Sequence, residues 1–134
     1  MLKIYVAASF EQRDTVKEIY KLLTDKGHII TADWTNHKEI VSMPTKIEQE
    51  RLAKRYAIED TNGVKNADVF ILLLEERKST GAHIELGIAI GAHVSHIFIV
   101  GEKTLSESQL FYRQPQIKYL QNIREVIKII DNLN

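Results

Sequence analysis

Glu75-Glu76-Arg77-Lys78-Ser79-Thr80-Gly81-Ala82-His83-Ile84-Glu85-Leu86-Gly87-Ile88-Ala89-Ile90-Gly91-Ala92-His93-Val94 is the stretch around which the chain is organised. A polar loop closed by Gly81 gives way to a helical segment in which Glu85 is the only charged side chain between Gly81 and Val94. A helix apolar nearly all round is expected to be buried, and a carboxylate buried without a partner costs several kcal/mol, roughly. Two readings fit Glu85. It can sit in the first turns of its helix, favoured by the macrodipole and reaching solvent, or it can line a cleft as a nucleophile or base.

The residues before this stretch, Asp68 to Leu74, read Asp-Val-Phe-Ile-Leu-Leu-Leu, apolar on both faces as a central parallel strand is. Working outward, Leu2 to Ala8 is a first strand, and Ser9 and a polar helix start follow it. From Glu11 to Lys26, Val16, Ile19, Tyr20, Leu22 and Leu23 recur at helical spacing and Gly27 ends the helix. His28 to Ala32 is a brief β-branched strand ending in Asp33-Trp34-Thr35. A connection containing Pro44 leads to a long helix over Ile47 to Ala67. Its expected inward stripe is Ala53, Tyr56, Ala57, Asp60, Val64 and Ala67, which places a second carboxylate on an apolar face.

Beyond the opening stretch, His96 to Val100 is a strand ended by Gly101. A polar loop or short helix runs to Arg113, a last strand is expected at Ile117 to Leu120, and a helix at Asn122 to Leu133. Strand and helix alternate, so the fold expected is a doubly wound α/β domain of the flavodoxin or Rossmann-like kind. Its parallel sheet of about five strands in the order 2-1-3-4-5 has helices on both faces. The winding reverses between strands one and three, and a ligand is expected in the crevice there, beside Ser9, Ser79, Gly81 and Glu85.

With 134 residues and 44% hydrophobic content, a single domain over 1–134 is expected, without repeats or linkers. Eighteen basic residues balance eighteen acidic ones, which argues against nucleic acid and membranes as partners and for a small ligand. The absence of cysteine excludes disulfides, thiol catalysis and zinc–thiolate sites. No apolar run has the length of a signal core or a membrane span, so a cytoplasmic protein is expected. The histidines lack metal-site spacing and no acidic cluster completes a site, so no metal is expected, and no cofactor either.

Glu85 near a helix start is expected to be held ionised, as a nucleophile must be, and Asp60 on an apolar face to have a raised pKa. Such a pair suits covalent cleavage of a glycosidic bond; alternatively Asp60 is a helix-end residue bonded to backbone donors. Ser9 and Ser79 lie in loops that run into helices and can hold a phosphate or simply make turns. Arg13, disfavoured by the dipole at a helix start, points at an anion or into solvent. Trp34 stacks on a nucleobase or packs the core. The loop after strand one lacks a G-x-G-x-x-G fingerprint.

Three segments together resemble the nucleoside 2-deoxyribosyltransferase superfamily, which includes the 2′-deoxynucleoside 5′-phosphate N-hydrolases. They are Lys3-Ile4-Tyr5-Val6-Ala7-Ala8-Ser9, Ala57-Ile58-Glu59-Asp60 before Ala67-Asp68-Val69-Phe70, and Ser79-Thr80-Gly81-Ala82-His83-Ile84-Glu85-Leu86-Gly87. The resemblance implies that Glu85 attacks C1′ of the sugar, that Tyr5 orients it, and that Asp60 contacts the sugar or base and helps the base leave. It implies a phosphate site at Ser9 and at Ser79, where the transferases have an aspartate that meets a 5′-hydroxyl. His83 stands where the hydrolases usually have glycine, and its ring is expected near the phosphate or sugar. The family also implies a homodimer or higher homo-oligomer, and the helix from Gly81 to Val94 is a candidate contact.

The function expected is therefore N-glycosidic cleavage of a nucleoside 5′-monophosphate through an ester on Glu85. Base exchange by a nucleoside 2-deoxyribosyltransferase is the first alternative, and a non-catalytic nucleotide sensor is the second.

Overall fold

The computed structural model describes residues 1–75, 79–102 and 110–133. Five parallel strands, β1 (Lys3–Ala7), β2 (Ile29–Ile30), β3 (Val69–Leu73), β4 (His96–Val100) and β5 (Ile117–Leu120), form one sheet in the order β2-β1-β3-β4-β5. This is the expected fold. Four helices cover it: α1 (Arg13–Asp25), α2 (Lys46–Lys65), α3 (Thr80–Gly91) and α4 (Ile123–Asp131). Lys26, just past α1, bonds Asp131 of α4 at 3.1 Å, while α2 packs against α3. None of the described helices is long and apolar enough to cross a membrane.

The continuous apolar runs become the central strands because both of their faces are covered. Ile4, Tyr5, Val6 and Ala7 of β1 and Val69, Phe70 and Ile71 of β3 are completely buried. β2 is shorter than expected, pairing only Lys3 with Ile29 and Ile4 with Ile30. Side chains replace the missing ladder. Val6 N–H donates to the Tyr20 hydroxyl at 3.0 Å, and Val6 C=O accepts from the Trp34 indole at 2.7 Å. At the other end Leu2 N–H donates to His28 Nδ1 at 3.1 Å. Buried backbone groups left unpaired would each cost free energy, so these three residues seal an edge that would otherwise be open.

Two burial expectations are corrected. In α2 only Gly63 and Val64 are fully buried; Ala57, expected inside, is exposed, because only the last turns of the helix reach the sheet. In α3, Ala82, Leu86 and Ala89 face inward while Ile84, Gly87 and Gly91 are exposed, since one sheet covers only one side of a helix. The first helix is preceded by a 3₁₀ turn at Phe10–Gln12. Of the expected polar segment before Arg113, residues 103–109 lie outside the described residues, and a 3₁₀ turn occupies Leu110–Arg113.

Gly63 lets α2 approach the sheet. A Cβ there would stand 2.5 Å from the Ala32 Cβ and 3.2 Å from the Tyr5 ring, whereas one at Gly87 would meet nothing within 4 Å. Gly63→Ala is therefore expected to destabilise the fold by about 1–3 kcal/mol through overpacking. Gly87→Ala should stabilise its helix by about 0.5–1 kcal/mol. Urea unfolding of the two variants checks the opposite signs.

Candidate active site

The C-terminal part of β1, the residues that follow it, the loop from Trp34 to Val41, α2 and the start of α3 enclose a cavity of about 450 Å³. That size suits a small organic ligand. Tyr5, Trp34, Asp60, Ser79, Gly81 and Glu85 all line it, so the fold brings together six of the residues singled out in the sequence. Phe10, His37, Lys38, Ile40, Val41 and Tyr56 contribute most of the remaining wall.

Tyr5 comes from the middle of β1 and its ring lies parallel to that of Phe70, with centroids 6.0 Å apart. Its hydroxyl donates a short hydrogen bond to Glu85 Oε2. Glu85 is the sixth residue of α3, past the first turn where the dipole acts most strongly. Burial pushes its pKa up to about 7; the Tyr5 hydrogen bond opposes that rise and the Asp60 charge adds to it. The expected ionisation by the helix dipole is thus overridden by desolvation. Burial likewise raises Asp60 to about 6, with Glu59 adding to the effect. Both carboxyls are poised near neutrality, and the order is the reverse of that expected. Tyr5, buried beside both acids, stays a hydrogen-bond donor because its own pKa is driven upward.

Asp60 is not bonded to backbone donors. Its Oδ1 is buried without a hydrogen-bond partner among the described residues, and His37 Nε2 stands 3.6 Å from it. The His37 ring lies flat on Tyr56, with centroids 3.6 Å apart, and the Tyr56 hydroxyl accepts from Lys38 N–H at 2.9 Å. These contacts pin the loop after β2 onto α2. Burial lowers the pKa of His37. Neither His37 nor Tyr56 was assigned a role from the sequence. The available signal was positional, since the loop after a strand's C-terminal end borders the crevice and Tyr56 lies one turn before Asp60.

Ser79 is the N-cap of α3, and its Oγ accepts from Ala82 N–H at 3.2 Å. Ser9 lies beside the cavity in a narrow crevice, where its Oγ donates to Glu75 Oε2 at 2.7 Å. His83 does not line the main cavity: Nδ1 meets Ser79 O at 2.8 Å and Nε2 pairs with the Tyr112 hydroxyl, which draws the ring toward the chain's C-terminal part. Arg13 is exposed, with its guanidinium 4.7 Å above the Phe10 ring, and stands outside the cavity wall. Trp34 packs the core, its indole bonded to Val6 C=O, and also lines the cavity. Among the described residues no group of three or more metal-ligating side chains converges.

No family model matches the chain, and no curated protein sequence matches it. Two solved structures share the fold. One is the CMP N-glycosidase of Clostridium botulinum, 16% identical, TM-score 0.65, matched over 96% of this chain and 98% of that one. The other is the 2-deoxyribosyltransferase of Bacillus psychrosaccharolyticus, 20% identical, TM-score 0.64, over 92% and 89% respectively. At these identities the likeness is one of fold.

Both site carboxyls bind their protons more tightly in the folded chain, at about 7 for Glu85 and about 6 for Asp60, than at their ordinary 4.5 and 3.8. The folded state therefore holds the extra protons between these values, and the stability they contribute is lost as pH rises from about 4 to about 7. Glu85→Gln, which removes the buried charge, should melt about 3–5 °C above the parent at pH 8. At pH 5 the gap should shrink. Calorimetric scans at the two pH values measure it.

Proposed function

We propose that this chain is an enzyme that cleaves the N-glycosidic bond of a nucleoside or nucleotide through a covalent intermediate on Glu85. The observation that carries the proposal is the hydrogen bond from Tyr5 to Glu85 inside a cavity that Asp60 shares, at the point where the sheet's winding reverses. The Glu85 carboxylate attacks C1′ of the sugar as the bond from C1′ to the base nitrogen breaks, and the electron pair leaves with the base. Asp60, whose proton is retained to about pH 6, protonates or hydrogen-bonds that base, with the His37 imidazole beside it. Tyr5 fixes the attacking oxygen. Water then attacks C1′ and gives up its proton to Asp60, now a carboxylate, as the ester bond breaks and the Glu85 carboxylate is regenerated.

The flat aromatic surface of Tyr56 and His37 and the border of Trp34 suit a planar base. The finer assignment is to a 5′-monophosphate, for which the support is Ser79 at the start of α3, a neutral donor where an acidic residue would repel a phosphate. Base exchange on an unphosphorylated deoxynucleoside is the second reading. The Ser9–Glu75 hydrogen bond favours it, because a carboxylate beside the sugar's 5′ end suits a hydroxyl. His83, its ring expected near the phosphate or sugar, faces Tyr112 instead of the main cavity. The exposed Ile84, Gly87 and Gly91 side of α3 supports assembly with a second copy of this chain.

Incubation with a panel of nucleosides and their 5′-monophosphates, followed by chromatography, should show free base. Glu85→Gln should lower release by about 10³-fold or more, and Tyr5→Phe by about 10–100-fold. Base release unaffected by Glu85→Gln would overturn the proposal. Addition of a second base separates exchange from hydrolysis.

Attack needs Glu85 ionised and departure needs Asp60 protonated, so kcat/KM should fall below about pH 6 and again above about pH 7. A pH–rate profile on the free enzyme checks for this narrow bell.

A further inference from the structure

The crevice beside the main cavity is lined by Ser9, Glu75, Ser79, Ala82 and His83 together with the end of β3, and Ser79 and Ala82 belong to both spaces. A sugar with C1′ at Glu85 and its base toward Asp60 and Tyr56 directs its other end along the start of α3, toward this crevice. The free volume there is 10 Å³, enough for about one water and too little for a phosphate. What fills it is the chain's own carboxylate. Ser9 Oγ, the hydroxyl donor at the C-terminal edge of β1, is engaged by Glu75 Oε2 at 2.7 Å. Glu75 follows Leu74, whose N–H extends the sheet by bonding Val100 O at 2.8 Å, so its backbone is anchored and the side chain is held over the crevice.

We propose that Glu75 is the residue that sets the site's choice between a 5′-phosphate and a 5′-hydroxyl, by competing with the phosphate for the Ser9 hydroxyl. This inference rests on the nucleoside reading of the cavity given above. An entering phosphate must take the Ser9 hydrogen from Glu75 and lie against a like charge, whereas a 5′-hydroxyl can donate to that same carboxylate. Ser9 and Glu75 thus act as one unit, in which removal of the acid frees the donor.

The test is calorimetric binding of a nucleoside and its 5′-monophosphate to protein carrying Glu85→Gln, which removes turnover from the measurement. Adding Glu75→Ala, which removes both the charge and the acceptor of the Ser9 hydrogen bond, should tighten the monophosphate by about tenfold or more and leave the nucleoside no tighter. Adding Ser9→Ala to that protein should take most of the gain away. Equal changes for the two ligands, no change, a gain that survives Ser9→Ala, or failure of either ligand to bind would each overturn the inference. The glycosidase reading fails separately, by absence of base release from the parent protein, so the two outcomes are distinguishable.

Discussion

The hydrogen bond from the Tyr5 hydroxyl to Glu85 is the contact on which the rest of this site depends. A carboxylate buried in the second turn of an apolar helix has lost most of its hydration, and its pKa rises accordingly to about 7. The tyrosine opposes that rise and fixes one oxygen in a defined direction. It can do so because it projects from a strand that is completely buried from Ile4 to Ala7, stacks on Phe70 and is roofed by α2 at a glycine. A carboxyl on a helix is thereby oriented from the sheet.

The open edge of β1 is the second determinant. β2 ends after two paired residues, and a longer strand would have carried the chain past the place where the cavity lies. Instead the chain turns at Asp33, and Tyr20 and Trp34 satisfy the Val6 backbone from the side. The loop that follows is then free to cross over α2, where the His37–Tyr56 stack fastens it and brings an imidazole to Asp60. Strand length and cavity formation are therefore linked through the hydrogen-bond requirements of one residue.

Asp60 and Glu85 also illustrate a tension between stability and chemistry. Each would be easier to accommodate in water, and Asp60 Oδ1 has no hydrogen-bond partner among the described residues. Buried acids with raised pKa values that share one cavity are a combination that function explains better than folding does. The small crevice holding Ser9 and Glu75 extends the pattern, since it spends a donor on an internal acid at the edge of the same space.

The sequence by itself determined the order of strands and helices, the winding reversal and the two carboxylates that come to share one cavity. Short uninterrupted apolar runs that alternate with helical patterns read as central parallel strands, and a lone acid in an apolar helix stands out whatever surrounds it. The tertiary structure decided what those acids experience: Glu85 looked dipole-stabilised in the chain and is desolvated in the fold, because burial is a property of neighbours distant in sequence. It also decided that His83 turns to Tyr112, that Arg13 lies on Phe10, and that His37 and Tyr56 enter the site. Side-chain direction at such positions is set by contacts between segments far apart in the chain, which periodicity and spacing along it do not encode.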